Sequence, residues 1–420
     1  MAFFKNIWPG LLLFLLLAFT QAVNAQSKNE LDYFINQAQA NSPLLNDYNN
    51  QVLTNRIDSL KLKATYGFIV TGEGSGTYAP VIKGWGYDNA LTNGQTVLAG
   101  VKVAREFISP GNLNTRLNAY KANIAQVLAQ KNISIQTLNQ QIAEQYIATY
   151  ISQQQYHLSQ EMIRLINQED VVLKKLTQKA VFKQTDYLAF KVTLQQNELA
   201  LQQQTADWQN NYLLLNYLSG IVDTAFDELK APGMSDAIEP IAFEESVYAK
   251  AFLADSAKLA NDAKIIGYDY KPKITAYSDG GYQSSFVQTP YKNWGISVGI
   301  AITLPLYDGH QKKMLLNQNN LALQTKQHYL SQAHRQYQQQ VLQLQNQIRQ
   351  YKQMIDTANK QVSYATVLVE ANAKQLPTGD VKVVDFILSI TNLLTLKANI
   401  IQYDRSLYSL KNKLKYLTIQ

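Results

Sequence analysis

The chain's most constraining feature is where glycine and proline are missing. Neither residue occurs between Gly111 and Gly220, from His310 to Leu376, or from Asp380 to the C-terminus. Both break helices, so stretches of this length without them predict two very long helical hairpins. Within the second stretch Ala333, Tyr337, Val341, Leu344, Ile348, Tyr351, Ile355, Ala358, Val362 and Ala365 recur at steps of three or four, the rhythm of a coiled-coil seam. Ile124, Leu128, Ile135, Leu138 and Ile142 repeat it in the first, with Lys131 interrupting the row. Glutamines such as Gln338, Gln339 and Gln340 fill the space between seams as hydrated helix formers. A helix of about 65 residues at 1.5 Å per residue is about 100 Å long, so an elongated molecule is expected.

A second period marks strands. Ile296, Val298, Ile300, Ile302, Leu304 and Leu306 alternate with Ser297, Gly299, Ala301, Thr303 and Pro305, one face apolar and the other small or polar. Val97, Ala99, Val101 and Val103 alternate likewise, with Lys102 on the opposite face. Each of these runs follows a candidate partner, Phe68 to Tyr78 and Lys273 to Tyr282, which predicts two β-hairpins with loops near Pro80 to Gly94 and Ser284 to Asn293. A half-buried strand of a soluble sheet shows the same alternation; the setting between enormous helices, with no globular domain around them, favours a membrane wall.

The chain repeats itself. Lys183, Asp186, Tyr217 and Leu218 correspond to Lys382, Asp385, Tyr416 and Leu417 at a constant offset (385 − 186 = 199). The expected organisation is therefore a first repeat over 26–220, with a helix, a β-hairpin at 67–107 and a helical hairpin at 111–220. A polar linker or equatorial segment at 221–245, carrying Pro232 and Pro240, is a natural place for a small mixed domain. The second repeat covers 246–420, with a β-hairpin at 272–306 and a helical hairpin at 310–420. Ahead of them, Lys5, the apolar run Leu11 to Phe19 and the exit Val23-Asn24-Ala25 read as a signal peptide over 1–25, with an uncleaved anchor as the other reading.

Export, together with the absence of cysteine, excludes disulfides, thiolate metal sites and lipidation of an N-terminal cysteine. No segment after residue 25 reaches about 18 continuous apolar residues, so no transmembrane helix is expected. The net charge of +7 is diffuse, with no basic run interleaved with aromatics, and argues against a nucleic-acid partner. The four histidines, His157, His310, His328 and His334, form no metal-ligand spacing, and no HExxH, P-loop or nucleophile-elbow pattern is present. No cofactor, metal site or enzymatic activity is expected.

Four strands cannot close a membrane barrel, and open edges are forbidden in lipid, so other subunits must complete the sheet. Two subunits give eight strands and a filled interior; three give twelve and leave room for a water-filled lumen. In such a wall Ile296, Val298, Ile300 and Ile302 face outer-membrane lipid, while Ser297, Gly299 and Thr303 face water. Trp85, Trp294, Tyr78, Tyr87, Tyr282 and Tyr291 are candidates for an interfacial aromatic girdle, or else pack within their loops.

The duplicated frame resembles the TolC-like outer-membrane efflux family over essentially all of the chain after residue 25. Asn41-Ser42-Pro43 resembles the family's Asn-x-Pro signature, Pro305-Leu306-Tyr307-Asp308-Gly309 its strand-to-helix turn, and Thr378-Gly379-Asp380 followed by Val384-Asp385-Phe386-Ile387 its second periplasmic turn. The resemblance implies a mixed α+β membrane protein. In it a homotrimer forms a twelve-stranded β-barrel and a twelve-helix periplasmic tunnel, docked by its helical tips onto a periplasmic adaptor and an inner-membrane transporter. It places the tip contacts at Gly379, Thr378, Asp380, Ala180 and Val181, where Ala180-Val181 replaces a glycine-led turn. It places the periplasmic entrance at Asp385, with Asp186 as its repeat mate. Leu388 stands where some relatives carry a second acid, and Val381 where some carry a gating arginine. Asp186 and Asp385 also suit plain placement at positive helix ends. A periplasmic coiled-coil adaptor or scaffold without a pore accounts for the hairpins but not for the alternating strands. A secreted helical pore-forming toxin calls for an apolar insertion tongue that neither tip shows.

Overall fold

The structure, a computed structural model, describes residues 29–87, 94–235, 239–286 and 289–419; the signal-peptide segment lies outside them. Helices α1 (Leu31–Asn41) and α2 (Pro43–Thr65) lead into strands β1 (Ile69–Tyr78) and β2 (Gln95–Phe107), then α3 (Pro110–Gln178) and α4 (Gln184–Ser219). The second half repeats this order with α5 (Val247–Asp269), β3 (Lys273–Ser284), β4 (Trp294–Thr303), α6 (Gln311–Gln375) and α7 (Val383–Leu417). Helices α3 and α6 run for 69 and 65 residues. Among the described residues of 221–242 there is neither helix nor strand, so the expected mixed domain is absent there and only a short 3₁₀ turn, Phe243–Glu245, follows.

The chain divides into two compact units. The first comprises residues up to 43, 134–242 and 336–420, the second 44–133 and 243–335.

In the first unit the ends of α3 and α6 meet the beginnings of α4 and α7. Met162, Ile166, Leu173, Phe190, Val369, Leu376, Phe386 and Leu393 share one buried cluster. The seam positions on α6 from Tyr337 to Ala365 are all buried or half-buried. On α3 the rhythm holds at Ile142 but fails at Leu128, which is 44% exposed. The 199-residue offset survives in packing: Leu194 and Leu393, like Leu215 and Leu414, are buried in both copies. Tyr217 and Tyr416 have diverged, the first 79% exposed and the second 4%. By length and composition α7 alone among the described helices could cross a membrane, although it holds no continuous apolar run of about 18 residues. Its Val383, Phe386, Ile390 and Leu393 are instead buried against the other hairpin ends.

Asn41 shows what the Asn-x-Pro signature does. Gly220 ends α4 in the left-handed region, and its N–H bonds the carbonyls of Asn216 and Tyr217. The Asn41 amide then donates to the carbonyls of Ser219 at 3.3 Å and Gly220 at 3.2 Å. A Cβ on Gly220 would lie 2.7 Å from that of Asn41, so the clamp requires glycine for space as well as for φ. Pro43 then starts α2 at a position where its missing N–H costs nothing. Nearby, the Tyr146 hydroxyl sits between the carbonyl oxygens of Asn29 and Lys230 at 2.7 and 2.8 Å, and Gln153 makes both a donor and an acceptor bond to Leu229. The otherwise unstructured linker is tied down by these bonds, which satisfy its buried polar groups.

In the second unit, polar bonds join the helices. Asp255 accepts from Gln126 at 2.8 Å and from Lys326 at 2.6 Å, linking α5 to α3 and α6, while Arg116 pairs with Asp269. The four strands form one antiparallel sheet in the order β1-β2-β3-β4. Both outer strands, β1 and β4, are therefore unpaired edges.

Candidate functional site

Strand register decides which side chains share a face. Ile300 lies opposite Ala276, Ala276 opposite Arg105, and Val298 opposite Ser278, which lies opposite Val103. Following these pairs, one face carries Val70, Val97, Ala99, Val101, Val103, Ile274 and the four β4 residues Ile296, Val298, Ile300 and Ile302. Those four are between 69% and 85% exposed, an apolar surface with nothing of its own subunit upon it. Tyr282 and Trp294 lie opposite each other on the same face, with rings 5.6 Å apart and edge to face; Tyr78 shares that face at the loop end of β1. Trp85, Tyr87 and Tyr291 are strongly exposed in the loops beyond the strands.

The opposite face is polar. Lys102 and Asp279 are register partners, and the row continues to Thr71 on one side and Ser297 on the other. Lys102 Nζ is 3.9 Å from Glu73, and the Ser297 hydroxyl donates to Asp279 at 2.5 Å. Ser297, Gly299, Ala301 and Thr303 belong to this face. Reading the sequence located Lys102 but missed Glu73, which the β1–β2 pairing sets on the same face, and Asp279, whose place opposite Lys102 follows from the offset of β3 against β2. Two glycines let these strands approach: a Cβ on Gly281 would stand 2.3 Å from the Ala99 carbonyl oxygen. Gly299 is covered by the ring of Tyr277, which a Cβ would meet at 2.5 Å.

Where β4 gives way to α6, Asp308 accepts from the backbone N–H of Lys312 at 2.8 Å and of His310 at 2.9 Å. The Lys312 N–H is the main reason its carboxyl is held below the usual carboxylate range, despite some desolvation. Gly309 and His310 both have positive φ, the sharp bend that allows Asp308 to reach back.

The two hairpin turns lie side by side, and a Cβ on Gly379 would lie 3.7 Å from Val181 Cγ1. Gly379 ends the second turn at φ 80°, and the Thr378 hydroxyl donates to Asp380 at 2.6 Å. Ala180 adopts φ 60°, with its N–H bonded to Thr177 and that of Val181 to Leu176. That is the helix-ending motif glycine normally serves, held here by a residue with a Cβ. Thr378, Gly379, Asp380, Ala180 and Val181 are all exposed above the fully buried Leu376. Asp186 and Asp385 occupy the third residue of α4 and α7, behind uncapped Lys183 and Lys382. Asp385 and Leu388 share an exposed side of α7, Leu388 being 61% exposed, while Asp186 is half-buried.

Comparison with known proteins agrees with this geometry. Residues 253–418 match the family model described as outer membrane efflux protein. No curated protein matches by sequence. Among solved structures, the outer membrane protein VceC of Vibrio cholerae superposes with a TM-score of 0.73 at 15% identity, covering 92% of this chain and 95% of that one. The open-state MtrE outer membrane channel of Neisseria gonorrhoeae gives 0.73 at 12% identity over 93% and 89%, and the CmeC outer membrane channel of Campylobacter jejuni 0.72 at 12% over 92% and 85%. Residues 253–418 are thus an outer membrane efflux protein domain, and the chain as a whole has the fold of the TolC-like outer-membrane channels.

Proposed function

We propose that this chain is the outer-membrane channel subunit of a tripartite efflux or type I secretion assembly, a passive conduit from periplasm to exterior. The observation that carries the reading is the two-faced sheet: four strands with both edges open, apolar on one side, and a Glu73–Lys102–Asp279 belt on the other. An exposed apolar face suits hydrocarbon, whereas unpaired edges in hydrocarbon leave backbone groups unsatisfied at a cost of several kcal/mol each. Joining β4 of one subunit to β1 of the next removes every edge, and three subunits enclose a lumen wide enough for water. Ile296, Val298, Ile300 and Ile302 then face lipid, and the charged belt faces the lumen. A scaffold without a pore leaves both the edges and the two-faced alternation without a purpose.

At the periplasmic end, the exposed turns at Ala180–Val181 and Thr378–Asp380 are the surfaces offered to an adaptor, with an inner-membrane transporter beyond it. Asp385, exposed beside Leu388, supplies the entrance charge; three copies near one axis repel one another and attract cations. The reading involves no catalytic step. Its test is membrane fractionation with heat-modified gel migration. The expected result is an outer-membrane species that runs as a trimer unheated and as a monomer after boiling. A monomer in the soluble periplasmic fraction would overturn it.

A further inference from the structure

We infer that Arg105 is a binding site for the phosphate of a phospholipid headgroup in the periplasmic leaflet of the outer membrane, which fixes the depth of the barrel. This rests on the sheet being a membrane wall. Arg105 is the single charged side chain among the strand residues of the apolar face; Glu73, Lys102, Glu106, Lys273 and Asp279 all belong to the other. A permanent cation on a lipid-facing surface is unfavourable unless it lies at the headgroup level and meets an anion there.

Its place in the sheet meets the first condition. Arg105 shares the helix-proximal end of the face with Phe68, just before β1, and Phe107, the last residue of β2. From Phe68 to Tyr78 is ten residues along β1 (78 − 68 = 10). At about 3.4 Å per residue and a tilt of about 40°, that separates the two aromatic ends by about 26 Å along the membrane normal, against an apolar band of about 25 Å in barrels of this kind. With Tyr78 at the outer boundary, Phe68, Phe107 and Arg105 come to the inner one.

The side chain itself meets the second. The Arg105 guanidinium lies 5.1 Å from the centre of the Phe68 ring and 5.3 Å from that of Phe107. Cation–π contact with two rings restrains the fork. Its Nε is buried and has no hydrogen-bond partner among the described residues. A planar donor fork beside two rings at the edge of hydrocarbon matches the paired oxygens of a phosphodiester. Neither Phe68, Phe107 nor Arg105 stands out in the sequence as part of an aromatic girdle, because Phe68 joins the other two only through the β1–β2 register.

The test uses the full-length trimer in a neutral maltoside detergent, titrated with phosphatidylglycerol and, separately, with diacylglycerol of the same chains. Native mass spectrometry reads the lipid retained per trimer. The wild type is expected to retain up to three phosphatidylglycerols. Arg105→Gln should bind at least tenfold more weakly while still running as a heat-modifiable trimer, and Arg105→Lys, which keeps the charge but loses the fork, should fall between them. Equal retention by wild type and Arg105→Gln, equal retention of diacylglycerol, or displacement of the lipid by an equal concentration of inorganic phosphate would overturn the site. A wild-type chain that forms no trimer would instead refute the channel reading, so the two failures are distinguishable.

Discussion

A charge moved along β4 measures the bilayer directly. Trp294, the first residue of this strand, and Leu304, just beyond its last, are also ten residues apart (304 − 294 = 10), and their midpoint is residue 299. Ile300 therefore lies within about 3 Å of the midplane, and Ile296 and Ile302 lie about 8 Å from it, on opposite sides. Arginine at the midplane of a lipid-facing strand costs about 2 to 4 kcal/mol, falling to about 0 to 1 kcal/mol at the interfaces. Ile300→Arg should then destabilise each subunit by about 2 to 4 kcal/mol, and Ile296→Arg and Ile302→Arg by about half of that. Ala301→Arg, on the opposite face beside Thr275, should cost little and alter conductance instead. Urea unfolding of the barrel in lipid vesicles gives the energies, and the fraction of heat-modifiable trimer gives the assembly yield. A flat profile along Ile296, Ile300 and Ile302, or equal losses for Ile300→Arg and Ala301→Arg, would refute the two-faced wall.

Gly281→Ala should sharply reduce trimer yield, since its Cβ would meet the Ala99 carbonyl oxygen, whereas Gly295→Ala in the same row meets nothing within 4 Å and should assemble normally. Ala180→Gly should stabilise the first hairpin turn by about 1 kcal/mol, read as slower amide exchange of Val181, because glycine adopts the left-handed conformation without penalty. Burial raises the carboxyl of Asp404 on α7, with Lys411 partly opposing the shift. The native state therefore holds that proton more tightly than the unfolded chain, so the cost of ionising it is full above the folded pKa, declines as pH falls through it and is gone below the unfolded value. Asp404→Asn should accordingly raise the melting temperature at neutral pH, and the gain should shrink on acidification. The depressed Asp308 carboxyl has the opposite sign: its stabilisation is present above the unfolded value near about 3.9 and is lost as pH falls through the lower folded value. Asp308→Ala should thus lower the melting temperature at pH 7 and lose that effect in strong acid.

Helix placement was legible in the sequence where punctuation is local: Pro377 and Gly379 mark the turn at Gln375–Val383, whereas the turn at Gln178–Gln184 lies inside the run from Gly111 to Gly220 that holds neither residue, and only its repeat, Lys183 and Asp186 standing 199 residues before Lys382 and Asp385, points to it. The apolar stripe on β4 was legible for the same reason, since strand parity needs no partner. Asp279 was not, because β2 and β3 are distant in sequence and nothing in either strand states their offset; Arg105 and Glu73 follow the parity of their own strands, but the alternation read from the sequence stopped at Val103 and gave β1 no faces. Leu128 matched the heptad rhythm yet remains exposed, as periodicity marks a face without showing that a neighbour covers it. The polar linker with its prolines suggested a small mixed domain. The described linker instead has no helix or strand and is held just before Pro232, where Tyr146 bonds the Lys230 carbonyl and Gln153 bonds both the carbonyl and the N–H of Leu229, which no composition signal could reveal.

The central claim is that three copies of this chain enclose a water-filled pore, and single-channel recording in planar bilayers tests it most directly. The purified trimer should insert and give uniform conductance steps with cation preference. Asp385→Asn should leave the trimer intact yet lower that preference and relieve block by multivalent cations, with Asp186→Asn doing much less. A well-folded trimer that inserts and conducts nothing would contradict the account.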